Sequence, residues 1–352
     1  MDDRLARFPV LLSTLAAALA AGTAAAGTTV YDSFDTPGYS LADYNAKWVN
    51  PYGLGEMGLT DTRSFTAGNF SIKAPVFQTG FDFSVYDHLK YMAASTQSFA
   101  VPTGGSLTFS STINATAYNT QAAGRLISGT YTQSGNPYSA LALEGQQAGA
   151  VMNMIDFSTG QLFDWFISGS TAFTLIERLP SSVTNPALQP GDAGYVGIDK
   201  MYTQIIKQVA IGSGPHQASI SYSDAGSVSY FLDGTLVSKI DNVGIPLDKQ
   251  GVDWSGVYPS YGTGEALSGK IHNLTIGHGL FSLLDAFPFQ HPDRPDLAVS
   301  IPLSERLFGQ GMDATFDNFT VTSVPEPQSW ALLLAGLGLA GLVARRRPAA
   351  RA

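Results

Sequence analysis

Val228-Ser-Tyr-Phe-Leu-Asp233-Gly234-Thr-Leu-Val237 decides the fold. Apolar and polar residues alternate on both sides of Asp233-Gly234, and Asp-Gly between two alternating runs is among the strongest short hairpin signals. Working outward, residues 217–223 alternate too and enter this hairpin through Asp224-Ala225-Gly226. Residues 106–114 put Leu107, Phe109 and Ile113 on one side of a strand. Residues 148–157 and 161–168 flank Ser158-Thr159-Gly160 as a second hairpin, and residues 171–179 follow a Ser-Gly-Ser turn. Residues 201–210 read as strand because Thr203, Ile205, Ile206 and Val209 are β-branched. Residues 30–35 open the domain, 270–277 add a strand and 315–322 close it, while 280–287 read as one short helix and 181–194 as irregular. With no internal repeat and no interior linker, the expectation is one antiparallel β-sandwich with little helix.

The two ends of the chain read differently. Arg4 and Arg7 precede an apolar stretch over residues 10–21, and Ala24-Ala25-Ala26 offers small residues for cleavage before Gly27. That is the form of a secretory signal peptide over residues 1–26. At the other end, Val324-Pro325-Glu326-Pro327 leads into an uncharged run of 15 residues from Trp330 to Ala344, followed by Arg345, Arg346 and Arg347. The run is shorter than the roughly 18–20 residues of a comfortable membrane span. Its arginines are expected to hold that end on the cytoplasmic side, with everything before it outside. This three-part order resembles the PEP-CTERM sorting signal of Gram-negative bacteria. The resemblance implies that residues 324–352 are a sorting signal recognised by a membrane-embedded exosortase, with transient anchoring in the inner membrane by a hydrophobic sorting helix and removal or transfer of the tag near Pro325–Pro327. The final destination is then the cell envelope, the outer surface or the extracellular matrix. Residues 27–323 are left as the β-sandwich domain.

Composition narrows the partners. Six of the 19 basic residues and three of the 28 acidic ones lie in the two terminal addresses, which leaves 13 against 25 and a passenger charge near −12. Such a surface argues against nucleic acid and anionic lipid. There is no cysteine, so thiol catalysis and Cys-ligated zinc are excluded, and stability rests on the core rather than on disulfides. His272 and His278 alone among the five histidines approach a paired ligand spacing.

The hairpin after His216, with its Tyr-Phe-Leu-Asp-Gly core, resembles the concanavalin A-like lectin and glucanase jelly roll. The closing Asp317-Asn318-Phe319-Thr320-Val321 resembles the last strand of that superfamily. Residues 153–157, 177–180, 277–291 and 304–309 are similar to an uncharacterised bacterial and fungal group within it. The superfamily's glucanases carry acids at alternate positions of one strand, which period 2 sets on a single face. The best local counterpart, Asn153-Met154-Ile155-Asp156-Phe157, keeps only Asp156, which also opens a turn. Catalysis is therefore not the leading expectation. Acids from separate strands, such as Glu56, Glu144 and Glu177, remain the alternative route to a polysaccharide hydrolase or lyase. The resemblance also implies a structural calcium where the chain ends meet, with Asp317 in the matching position and Asp32 or Asp35 contributing; a turn-forming aspartate is the plainer reading.

A Gly/Ser-rich loop carries Asp253, Trp254, Tyr258 and Tyr261. Aromatic faces pack against the apolar faces of sugar rings while a nearby carboxylate accepts hydroxyl protons, so these four are candidates for binding exopolysaccharide or an envelope glycan. Trp48 and Trp165, in apolar surroundings, read as core. The functional expectation is an exported, non-catalytic polysaccharide-binding module, with a hydrolase or a ligand-free structural surface protein as alternatives.

Overall fold

A computed structural model describes residues 26–49, 63–66, 68–73, 89–256, 260–282, 296, 298–302, 304–305 and 309–325. Strands dominate it, at 53% against 8% helix.

The chain forms two large antiparallel sheets. In the first, β15 (Thr235–Ile240), β14 (Ser227–Leu232), β13 (His216–Ser223), β6 (Ser106–Tyr118), β19 (Gly311–Val324), β4 (Asn69–Lys73) and β3 (Arg63–Thr66) lie in that order. β1 (Gly27–Asp32) also pairs with β19, so the terminal strands are neighbours, with Gly27 opposite Ser323. The second sheet runs β16 (Ser255–Gly256), β12 (Tyr202–Ala210), β11 (Thr171–Arg178), β10 (Gln161–Ile167), β9 (Gly149–Asp156), β17 (Asn273–Phe281), β5 (Leu89–Ala100), β2 (Trp48–Val49). A small third sheet, β18 (Val299–Ser300), β7 (Arg125–Tyr131), β8 (Pro137–Ala142), adds to the two that the sequence leads one to expect. The architecture is the expected antiparallel jelly roll.

The expected Asp-Gly hairpin joins β14 to β15, with Asp233 and Gly234 both at positive φ (50° and 75°). Period 2 then sorts the faces. Leu107, Phe109 and Ile113 of β6 and Ile220 and Tyr222 of β13 meet Met152, Met154, Phe163 and Trp165 of the second sheet in one apolar layer. β9 and β10 are buried on both faces, which is why their sequences read as nearly continuous apolar runs rather than clean alternations.

One expectation needs correction. Leu280 and Phe281 are strand, not helix: β17 continues through them, bonded to β9 on one side and to β5 on the other. A short apolar run fits a doubly buried strand as well as a helix, and length alone misleads. Residues 283–287 of that run lie outside the described residues. The longest described helix is instead Leu41–Lys47, started by a capping box in which Ser40 and Asp43 bond each other's backbone N–H. Its Lys47 Nζ, the Trp48 indole N–H and the Tyr39 hydroxyl all donate to the buried carboxylate of Asp32, at 2.8, 2.9 and 2.6 Å. That cluster fastens the first strand to the second sheet.

His278 lies at the centre of the aromatic core. Its ring centroid is 4.7 Å from Trp48, 4.9 Å from Phe316 and 5.0 Å from Phe319, and its Nε2 lies 2.8 Å from the Tyr44 hydroxyl. Burial pushes its pKa from 6.5 down to about 3. In the unfolded chain the imidazole takes up its proton near 6.5, so the stability it contributes is complete above that pH and is lost as pH falls towards 3. The stability gap between wild type and His278→Phe should therefore narrow below pH 6.5, by up to about 1.4 kcal/mol per pH unit. Denaturant melts of both proteins from pH 7 to pH 4 measure it, and a gap independent of pH contradicts a buried neutral imidazole.

Candidate functional site

The loop that carries the aromatic candidates is built onto the edge of the second sheet. The helix Leu247–Gln250 ends at Gly251 in the left-handed region, φ 70°. From there Ser255 and Gly256 pair with Ile205 and Gln204 of β12. Asp248 fixes the far side of the loop, accepting from the Ser260 hydroxyl at 2.7 Å and from the Gln204 side chain at 3.0 Å. Asp253 is exposed, and Trp254 and Tyr261 are half-buried. Trp254 rests one side on the core. Tyr258 lies outside the described residues.

Next to this edge, four strands bring polar groups into one row on the outer face of the sheet. Asn153 of β9 is directly opposite Asp164 of β10. Asp164 is opposite Leu175 of β11 and diagonal to Glu177, which stands opposite Leu162 on one side and Thr203 of β12 on the other. Diagonal neighbours put side chains roughly 7 Å apart at their Cβ atoms. Thr203 Oγ1 donates to Glu177 Oε1 at 2.5 Å. Asn153 is 1% exposed and Asp164 2%, yet Asn153 Nδ2, Asn153 Oδ1 and Asp164 Oδ1 have no hydrogen-bond partner among the described residues. The Asn153 amide lies close enough to Asp164 to lower its pKa, although the two form no well-aligned hydrogen bond. Burial and then the neighbouring Glu177 outweigh that and raise Asp164 well above the usual carboxylate range. Burial, opposed by the Thr203 hydroxyl, lifts Glu177 to about 7. Gly277 of β17 ends the row opposite Asn153, where a Cβ would come within 2.3 Å of Asn153 Oδ1. Any side chain at 277 would displace that amide.

A second arrangement forms where the chain ends meet. β19 pairs with β4 through Phe316 and with β1 from Phe319, and between them its ladder to β6 is broken after Asp317. Asn318 takes φ 52° at the break. Gly68, at φ 83°, brings its backbone so near the Asp35 carboxylate that a Cβ would fall 2.7 Å from Oδ1. Asp317 Oδ1 is buried without a hydrogen-bond partner, and burial together with the charge of Asp35 raises the Asp317 pKa. Two neighbouring carboxylates, an orphaned oxygen and open backbone geometry suit calcium, which takes carboxylate and carbonyl oxygens. Asp32 is not part of this arrangement, because the three donors described above already occupy it.

The remaining candidates are placed individually. Asp156 caps the β9–β10 turn, accepting from Ser158 N at 3.0 Å and Thr159 Oγ1 at 2.8 Å. Glu144 is buried beside Ser168, Ser170 and Thr120 rather than beside Glu177. Glu56 lies outside the described residues. His278 is buried and His272 exposed, so they share no site. Trp48 and Trp165 are core. Asp164, the diagonal neighbour of Glu177, carried no sequence signal beyond an acid inside an apolar run.

Fold and site together define a jelly-roll protein with an acidic row on one sheet and an aromatic loop at its edge. The chain belongs to the family of unknown function DUF6081, whose model matches residues 58–325. Residues 323–347 match the PEP-CTERM protein-sorting motif. Similar solved structures include porphyranase B from Zobellia galactanivorans (9% identity, 87% of this chain and 95% of that one, TM-score 0.42). They also include β-agarase B from the same organism (10%, 86% and 94%, TM-score 0.41) and the Crh5 transglycosylase in complex with NAG (8%, 86% and 84%, TM-score 0.37). No curated protein matches the chain. The hydrophobic run of the sorting motif and residues 1–25 of the expected signal peptide lie outside the described residues, and no described helix is long and apolar enough to cross a membrane.

A calcium ion between Asp35 and Asp317 would tie the first strand to the last, so chelation should lower the melting temperature by several degrees. The melting point of Asp317→Ala should then be indifferent to chelator. A wild-type melt unmoved by chelator returns Asp317 to a turn-forming role.

Proposed function

We infer that this is an exported protein of the cell envelope that an exosortase processes, as its sorting motif indicates. We propose that its jelly roll, residues 27–323, is a non-catalytic module that holds a neutral polysaccharide of the envelope or the exopolymer. The observation that carries this reading is the loop bonded onto β12 through Gln204 and Ile205: it presents an exposed Asp253, with Trp254 and Tyr261 half-exposed. Rings anchored on one side and open on the other can stack on sugar faces at little conformational cost. The acidic surface disfavours polyanionic polymers, which leaves neutral glycans as ligands.

Burial favours binding over hydrolysis. Two acids of raised pKa side by side suit general acid–base chemistry, but Asp164 is only 2% exposed and a glycosidic oxygen does not reach it. After export, transient anchoring by the C-terminal run and removal of the tag near Pro325–Pro327 would release the module to the surface or matrix.

A glycan array of neutral polysaccharides, probed with the wild-type protein and with Trp254→Ala and Tyr258→Ala, tests the reading. Retention of at least one glycan is expected, weakened about three- to tenfold in each variant, as loss of an aromatic contact predicts. Release of reducing ends from a retained glycan replaces the binding module with a hydrolase. Retention unchanged in both variants removes the loop from the site, and no retention at all leaves a structural surface protein.

A further inference from the structure

The first sheet holds the chain right up to the sorting motif, with no linker between. The domain match runs to residue 325 and the motif match starts at residue 323, so the two share residues 323–325. Ser323 and Val324 belong to β19, which keeps its ladder to β6 to the end: Ser323 is opposite Leu107 and Val324 opposite Ser106. Along the other edge of β19, Ser323 faces Gly27 and Thr322 faces Thr28 of β1, and the Thr28 and Thr322 hydroxyls bond each other at 2.9 Å. Gly105 packs against the last peptide. A Cβ at that position would fall 2.3 Å from the Val324 carbonyl oxygen and 2.9 Å from Pro325 Cα. The strand end is clasped by β1, by β6 and by Gly105.

An enzyme that cuts or transfers a peptide bond takes its substrate as an extended segment, with residues on both sides of that bond in its cleft. A segment already bonded along both edges within a sheet offers neither slack nor free backbone groups. Strand ends fray, however, and cleavage of a frayed form follows its population when opening and closing outpace the cut.

We propose that the end of β19, Thr322 to Val324, is a clasp that controls processing: the enzyme acts on the form in which this end has come away from β1, β6 and Gly105. This rests on the exosortase reading above and adds to it that the folded domain sets the rate at which its own tag is lost. The residues that hold the clasp, Gly27, Thr28, Gly105 and Ser106, all lie outside the motif.

Pulse–chase labelling of the full chain in a host that carries an exosortase reads that rate. A short Gly/Ser insertion between Thr322 and Ser323 leaves the matched motif whole and supplies slack, and should speed processing about threefold or more. Thr28→Cys with Thr322→Cys, in a chain that has no other cysteine, should form a disulfide after export and slow processing by about as much until a reductant is added. Thiol labelling confirms the bond. The same insertion placed in the disulfide-locked protein distinguishes a clasp from a damaged fold: a clasp predicts the fast rate of the insertion alone. A wild-type chain processed as fast as the inserted one, or a locked chain as fast as wild type, overturns the proposal and leaves the sorting reading standing. A wild-type chain that keeps its tag while an established exosortase substrate loses its own in the same host defeats the sorting reading itself, and the proposal with it.

Discussion

The pairing of β19 with three partners at once is the constraint on which the molecule depends. One edge of this strand is bonded to β6 along its length, and the other is shared in turn by β4 and β1. A strand can change partners along one edge only where its ladder is interrupted. That interruption falls at Asp317-Asn318, so the left-handed Asn318 sits at the change of partners and Asp317 Oδ1 is left without a hydrogen-bond partner among the described residues. On the inward side, Phe316 and Phe319 flank the same break and close on His278 of the opposite sheet. Because Gly27 faces Ser323 across this ladder, the two ends of the domain leave it at one point. The exported end and the sorting tag thus emerge together, and the sheet carrying the acidic row is the opposite one.

The two sheets use their polar residues differently. Asp32 is as deeply buried as Asp164, but three donors from Tyr39, Lys47 and Trp48 satisfy it. It serves to dock the helix Leu41–Lys47 and the first strand. Asp164 and Asn153 receive no such compensation, although their neighbours along each strand are apolar. A valine at either position would extend the apolar face without an unpaired group. Folding alone therefore does not account for the row, whereas Asp156 and Glu265, in turns and ion pairs, are accounted for by folding.

Much of the fold was legible in the sequence and most of the site was not. Alternation and turn chemistry located the β13–β14–β15 meander, the β9–β10 hairpin and the closing strand, because those signals are local. The capping box Ser40-Leu41-Ala42-Asp43 was equally local, and would have marked the helix that follows. Residues 280–281 were misread because a doubly buried strand loses the alternation that distinguishes it from a helix. The row was illegible for a different reason. Asn153, Asp164, Glu177 and Thr203 come from four strands, and period 2 assigns each to a face without fixing the register that aligns them. Glu177 stood out as an acid, but its natural companions by sequence were Glu144 and Glu56, whereas its neighbour in space is Asp164.

The central claim is that an exported jelly roll presents its ligand site at the β12 edge of the sheet that bears the acidic row. Hydrogen–deuterium exchange of the protein with and without neutral oligosaccharides tests it most directly, because it reports position without presuming which side chains act. Slowed exchange confined to β12, β11 and the segment from Gly251 to Tyr261 is the predicted result. Slowed exchange confined to the β13–β14–β15 sheet, or none with any neutral oligosaccharide, would contradict it.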